Sequence, residues 1–129
     1  MEKKIILVVD DEPDFLDMIK LRLEANNFEV IAASSGKQAL ESIKGRRIDA
    51  VLLDILMPEI DGLEVLKQIR QENKDLPVFI ITAFSSEERF RMANKLNASG
   101  FIVKTNDLKE EVEHITSVLR LSSKYKGSS

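Results

Sequence analysis

The sequence contains no cysteine, so it can form neither a disulfide framework nor a thiolate metal site. An excess of one charge is also lacking, because 22 acidic residues stand against 19 basic ones and the formal net charge is -3. Such a mild balance gives no reason to expect binding to nucleic acid or to an anionic membrane surface. No apolar run approaches the roughly 20 residues that are needed to span a bilayer.

The composition is that of an ordinary globular protein, with 43% hydrophobic and 32% charged residues. A chain of 129 residues is long enough for one domain with one substantial core. We assign residues 1–121 to this domain and residues 122–129, which lack apolar periodicity, to a disordered C-terminal tail. The N-terminus leads directly into an apolar run without a small-residue cleavage site, so we expect no signal peptide and a cytoplasmic location.

Five short apolar runs alternate with segments of helical spacing. The runs are Ile5–Val9, Phe28–Ala32, Ala50–Leu53, Val78–Ile81 and Phe101–Val103. Four are nearly continuous in apolar residues, which is typical of strands buried on both faces of a parallel sheet, whereas the second alternates and predicts an edge strand. The pattern predicts an α/β sandwich, in which a five-stranded parallel sheet carries helices on both faces.

Two details of the intervening segments refine this prediction. Asn27 and Asn97 follow predicted helices, at positions where a left-handed residue is often required. The segment before the last run carries Phe90, Ala93 and Leu96 at helical spacing, which predicts one buried helix face.

Polar residues follow four of the five apolar runs. They are Asp10-Asp11-Glu12, Asp54, Thr82 and Lys104. Any one of these residues alone has an ordinary explanation as a turn former, a helix cap or a solvated charge. Since ligands of open α/β sheets bind outside the carboxyl ends of the strands, the combination predicts one polar site at that edge.

The residue types at this edge indicate a metal and a phosphate. Asp10, Asp11 and Asp54 would repel one another, and a divalent cation would remove that repulsion. Oxygen ligands without histidine or cysteine favour a hard ion such as Mg2+, which usually also binds phosphate oxygens. Lys104 and Thr82 supply a positive charge and a hydroxyl donor for further phosphate oxygens. Asp54, at the centre, is the best candidate for a nucleophile that forms an aspartyl phosphate.

Taken together, these segments resemble the receiver domain of two-component response regulators. The resemblance rests on Val9-Asp10-Asp11-Glu12-Pro13, Leu53-Asp54-Ile55-Leu56-Met57-Pro58 with Asp61-Gly62, Ile81-Thr82-Ala83, and Phe101-Ile102-Val103-Lys104. It covers residues 4–121 and implies a flavodoxin-like (βα)5 sandwich like that of the chemotaxis regulators. Because no output domain follows within the sequence, we expect a stand-alone receiver.

The resemblance implies a role for each of several acidic positions. Asp54 would be the phosphoacceptor, which receives a phosphoryl group from a histidine kinase or a phosphotransfer protein in a magnesium-dependent reaction. Asp10 and Asp11 would bind the metal together with Asp54 and the main-chain carbonyl of Leu56. Self-phosphotransfer and autodephosphorylation would be the only reactions, so the protein would not be an enzyme in the usual sense.

The resemblance also implies a switch. Lys104 would pair with the phosphoryl group, Thr82 would hydrogen-bond to it, and Phe101 would turn inward. The face formed by the fourth helix, the fifth strand and the fifth helix would then change and bind a downstream protein whose identity the sequence does not give. Thr105 departs from the family pattern, which usually has a proline after the lysine, so the geometry of the Lys104–Thr105 peptide bond stays open.

Three other functions are weaker explanations of the same residues. A magnesium-dependent phosphohydrolase with an aspartyl nucleophile, of the haloacid-dehalogenase type, needs a second Asp where this chain has Leu56. A flavodoxin-like cofactor carrier needs a glycine- and hydroxyl-rich phosphate loop, where this chain has the acidic segment 10–12. An unphosphorylated protein-interaction module would not need the complete set of acceptor residues, although Thr105 keeps that alternative open.

Overall fold

The computed structural model describes residues 3–55, 61–83, 87–103, 110 and 112–117. Strands and helices alternate along these ranges, as the sequence predicts. Their bounds are β1 Ile5–Val9, α1 Pro13–Ala25, β2 Glu29–Ala33, α2 Gly36–Gly45, β3 Ala50–Asp54, α3 Gly62–Glu72, β4 Val78–Thr82, α4 Glu87–Lys95 and β5 Gly100–Val103. Residues 110 and 112–117 are also helical, and we name this segment α5.

The five strands form one parallel sheet in the order β2-β1-β3-β4-β5. β2 lies at an edge, where Val30 is buried and Glu29 is exposed, as its alternating pattern predicts. β1, β3 and β4 lie inside the sheet, and β3 and β4 are buried along their whole length. The predicted α/β fold class, a flavodoxin-like sandwich with a five-stranded parallel sheet, is therefore confirmed.

Alternation of side chains along each strand divides the core into two layers. On one face of the sheet, Ile6 and Val8 pack in a cluster with residues of α1 and α5. On the other face, Leu7 and Val9 pack in a cluster with residues of α2, α3 and α4. Helices therefore cover both faces, which explains why the central strands are apolar at nearly every position.

The predicted left-handed positions are confirmed. Asn27 has φ 72° and Asn97 has φ 61°, and each follows the end of a helix. In the described ranges, no helix is both long enough and apolar enough to cross a membrane.

The predicted buried face of α4 is only partly correct. Ala93 is buried and Leu96 is half-buried, but the Phe90 side chain is 46% exposed. The ring of Phe90 contacts the ring of Phe101 on β5 in an edge-to-face arrangement, with the ring centroids 5.3 Å apart. Helical spacing predicts which residues share a face, but it does not predict that this one would reach the edge strand instead of the core.

Candidate functional site

The register of the central strands places three of the predicted site residues at the ends of neighbouring strands. Val9 of β1 pairs with Leu53 of β3, so the next residues, Asp10 and Asp54, follow at the same level of the sheet. Asp54 in turn pairs with Ile81, and Thr82 follows one residue later. Asp10, Asp54 and Thr82 are all buried, although each has a polar or charged side chain.

The turn after β1 brings a further acid to this edge. The Asp10 backbone N–H donates to the carbonyl oxygen of Ala33 (3.1 Å), and a side-chain oxygen of Asp10 accepts a hydrogen bond from the Glu12 backbone N–H (2.9 Å). Carboxylate oxygens of Asp10, Glu12 and Asp54 all lie within 4.8 Å of one another. The sequence analysis predicted Asp10 and Asp11 as metal ligands and did not include Glu12. The signal for Glu12 is that it lies only two residues after Asp10, in the same acidic turn.

Asp11 is exposed and is not a member of this carboxylate group. Its predicted role as a metal ligand stays a prediction. It belongs to the same turn as Asp10 and Glu12, so its side chain starts from a backbone position adjacent to both.

The carboxylate group fits a magnesium ion. Burial of a charge is costly unless an opposite charge or hydrogen bonds compensate it, and Asp10 and Asp54 are 0% and 3% exposed. Carboxylate oxygens are the donors that Mg2+ prefers, and Mg2+ is usually bound by a few carboxylates with water and phosphate oxygens in its remaining positions. The chemistry and the spacing of these donors therefore suit the predicted ion.

The start of α3 is fixed directly against the phosphoacceptor candidate. The Gly62 backbone N–H donates to the carbonyl oxygen of Ile55 (3.2 Å), and a Cβ at Gly62 would collide with the carbonyl oxygen of Asp54. Asp61 caps the helix, because its side chain accepts a hydrogen bond from the Leu63 backbone N–H (2.9 Å). The end of β3 and the first turn of α3 thus pack directly against each other.

Thr82 and Phe101 belong to the same face of the sheet. Ile80 and Phe101 pair across β4 and β5, and both pack in the cluster that α4 covers. Because side chains alternate along a strand, Thr82 shares the face of Ile80. The two predicted switch residues therefore lie on neighbouring strands beneath the same helix.

An ion pair that the sequence did not predict lies next to this site. Arg89 of α4 places Nη1 3.2 Å from Oδ2 of Asp61. Two further predicted site residues, Leu56 and Lys104, lie outside the described residues, as does the Lys104–Thr105 peptide bond. Their roles stay predictions.

Comparison with known proteins agrees with this geometry. Residues 6–116 match the family model of the response regulator receiver domain. The chain is 34% identical over 122 residues to the alkaline phosphatase synthesis transcriptional regulatory protein PhoP of Bacillus subtilis (strain 168), covering 95% of this chain and 50% of that protein.

Two solved structures are also similar. One is the CheY-like receiver domain protein of Methanospirillum hungatei JF-1, with a TM-score of 0.88, 27% identity, and coverage of 96% of this chain and 99% of that one. The other is the response regulator TrrA of Thermotoga maritima in complex with Mg(2+)-BeF, with a TM-score of 0.79, 35% identity, and coverage of 89% and 98%.

A family match over most of the chain, together with the paired strand ends, defines the class of this protein. The chain belongs to the response regulator receiver domain family of two-component signalling. It spans about half the length of the curated relatives that it matches.

Proposed function

We propose that Asp54 of this receiver domain accepts a phosphoryl group from a phosphohistidine of a partner kinase or phosphotransfer protein. The observation that best supports this is the group of carboxylate oxygens from Asp10, Glu12 and Asp54, which lie within 4.8 Å of one another. Asp54 ends the central strand, between the strand that leads to Asp10 and the strand that ends in Thr82. An acceptor at this position has acids on one side and a hydroxyl on the other.

The proposed metal ligands are Asp10, Asp11, Asp54 and the main-chain carbonyl of Leu56, with Glu12 adding negative charge beside them. A bound Mg2+ would neutralise charge on the phosphoryl oxygens. The similar Thermotoga protein is in complex with Mg(2+)-BeF, which supports Mg2+ as the ion.

In the proposed transfer, a carboxylate oxygen of Asp54 forms a bond to phosphorus while the bond from phosphorus to the imidazole nitrogen breaks. The imidazole leaves with the electron pair of the broken bond. Lys104 pairs with the charge of the transferred group, and the hydroxyl of Thr82 donates a hydrogen bond to it. In autodephosphorylation, water takes the phosphoryl group and the Asp54 carboxylate is restored.

The switch follows from the shared face of Thr82 and Phe101. When Thr82 moves toward the phosphoryl group, it leaves space on the face that Phe101 shares, and the Phe101 ring turns into that space. Phe90 contacts this ring, so a change at Phe101 is transmitted to α4. The surface formed by α4, β5 and α5 then favours a downstream protein partner.

The setting of this activity is proposed as well. We infer a cytoplasmic protein in which residues 1–121 form the receiver domain. Its partners are other proteins, with no direct contact to nucleic acid or membrane. The mild net charge of -3 supports the absence of direct contact with nucleic acid or an anionic membrane.

The proposal is tested with acetyl phosphate as a small phosphoryl donor and with intact-mass spectrometry as the measurement. The wild-type protein with Mg2+ should gain the mass of one phosphoryl group, and chelation of the metal should prevent the gain. Asp54→Asn should not gain it. Asp17→Asn removes an exposed carboxylate of α1 and should behave as wild type. An unmodified wild-type protein, or an equal gain in Asp54→Asn, would disprove the proposal.

A further inference from the structure

α4 is anchored to the described part of the fold by few buried side chains. Ala93 is its one buried residue there, whereas Phe90 and Met92 expose 46% and 44% of their surface. Only residues 83–86 separate the end of β4 at Thr82 from the start of α4. The position of α4 and the position of Thr82 are therefore linked through a short piece of chain.

The Arg89–Asp61 ion pair fixes α4 to the unit that carries the phosphoacceptor candidate. Nη1 of Arg89 lies 3.2 Å from one carboxylate oxygen of Asp61 and 3.5 Å from the other. The same carboxylate caps α3, and the next residue, Gly62, packs on the backbone of Asp54. One side of the pair thus belongs to the start of α3, which packs on the end of β3, and the other belongs to the weakly anchored helix.

We propose that Arg89 is a positioning residue, whose ion pair with Asp61 holds α4 in its present position against the start of α3 and resists phosphorylation-dependent switching. This proposal rests on the function proposed for Asp54. If Thr82 must move toward a phosphoryl group, the short connection transmits that movement to α4. The ion pair opposes it by favouring the present position. Loss of the pair should therefore make the phosphorylated arrangement easier to reach.

A second ion pair on the same helix supplies a matched control. Nη2 of Arg91 lies 3.3 Å from a carboxylate oxygen of Glu87, and both residues belong to α4. This pair joins α4 only to itself, so its loss changes the charge of the helix by the same amount without releasing the helix from α3. Arg89→Gln and Arg91→Gln are thus the same chemical change on the same helix.

The experiment measures binding of beryllofluoride with Mg2+, a mimic of the phosphoryl group, by calorimetry or NMR titration. Arg89→Gln should bind it about two- to five-fold more tightly than wild type, the range that a partly exposed ion pair supports. Arg91→Gln should match wild type, and the affinity for Mg2+ alone should be the same in all three proteins. High salt should reduce the difference between wild type and Arg89→Gln, because salt screens the pair.

Asp61→Asn tests the other side of the pair, since the asparagine side chain keeps an oxygen that can cap α3. It should also tighten beryllofluoride binding, and the double variant with Arg89→Gln should show no further gain. Equal binding by wild type, Arg89→Gln and Arg91→Gln, or weaker binding by Arg89→Gln, would overturn the positioning role. Failure of the wild-type protein to bind beryllofluoride at all would instead disprove the function proposed for Asp54.

Discussion

Gly62 lies so close to the backbone of Asp54 that the first turn of α3 has no room for a side chain there. A Cβ at this position would collide with the Asp54 carbonyl oxygen and lie 2.5 Å from the Cα of Ile55. The obstructing atoms belong to the backbone, which cannot move aside as a flexible side chain can. Only glycine at position 62 therefore lets α3 begin this close to the proposed phosphoacceptor.

Gly62→Ala should lower the free energy of unfolding by about 1–3 kcal/mol, as overpacking does in a well-packed interior. It should also weaken Mg2+ binding, because the start of α3 must move away from β3. Urea denaturation and a Mg2+ titration measure these two effects. Glycine within a helix is normally the poorer choice by about 0.5–1 kcal/mol, so the direction of the stability change is informative.

Gly45→Ala is the matched control for this prediction. Gly45 ends α2, and a Cβ there would meet nothing within 4 Å. This variant should be as stable as wild type or slightly more stable. If Gly62→Ala is equally well tolerated, the close approach to Asp54 does not constrain the site.

Much of the fold could be predicted because burial leaves a simple pattern in the sequence. Because the central strands are covered on both faces, they are apolar at nearly every position. The polar residues Asp54 and Thr82 therefore mark the ends of β3 and β4 in the sequence. The left-handed backbone at Asn27 and Asn97 could also be predicted, since few residues other than glycine tolerate a positive φ. The strands can be predicted from a continuous apolar run, and each asparagine from one residue and its local backbone.

The features that could not be predicted depend on residues distant in the sequence or on the detailed path of a turn. Glu12 joins Asp10 and Asp54 because a hydrogen bond from its backbone to Asp10 folds the turn back. Arg89 and Asp61 meet across two helices, and their 28-residue separation leaves no periodic signal. The sequence therefore predicted that Asp10, Asp54 and Thr82 follow or end neighbouring strands, but not the contacts that surround them.

Glu12→Gln should weaken Mg2+ binding by about ten-fold. It removes one unit of negative charge from a group whose oxygens lie within 4.8 Å of one another. At such a distance, the attraction between a divalent ion and one negative charge is on the order of 1–2 kcal/mol even in water. Calorimetry or NMR titration with Mg2+ measures the change. Glu24→Gln, near the other end of α1, removes the same charge far from the site and should bind Mg2+ as wild type does. Equal affinities in these two variants would show that Glu12 does not act on the metal.

Arg70 of α3 connects the α3–β4 and α4–β5 loops through main-chain carbonyls, at the edge of the sheet opposite the site. Its guanidinium donates to the carbonyl oxygens of Leu76 (2.8 Å), Asn73 (3.1 Å) and Asn97 (2.9 and 3.2 Å). Burial lowers the pKa of this guanidinium, and the nearby Asp75 carboxylate acts in the opposite direction. The planar fork of arginine serves several acceptors at once, which an ammonium group on a single stem cannot do.

Arg70→Lys should therefore lower the free energy of unfolding by about 1–3 kcal/mol, because it keeps the charge but leaves carbonyl groups without their donors. Urea denaturation measures the loss. Arg46→Lys is the control, since Arg46 forms an exposed ion pair with Glu29 and should change stability by less than about 0.5 kcal/mol. A loss in Arg70→Lys no greater than in Arg46→Lys would contradict the structural role of the fork.

Thr116 of α5 is 4% exposed, and its hydroxyl oxygen has no hydrogen-bond partner in the part of the chain that the structure describes. A buried hydroxyl that exchanges water for no partner costs about 1–3 kcal/mol. Thr116→Val replaces this hydroxyl with a methyl group of similar shape, so it should raise the free energy of unfolding by about 1 kcal/mol. Thr116→Ser should lower it, because the hydroxyl stays and a buried methyl group is lost. Ser117→Ala, at the exposed neighbouring position, should change it little, and a Thr116→Val protein no more stable than wild type would show that the hydroxyl is satisfied in solution.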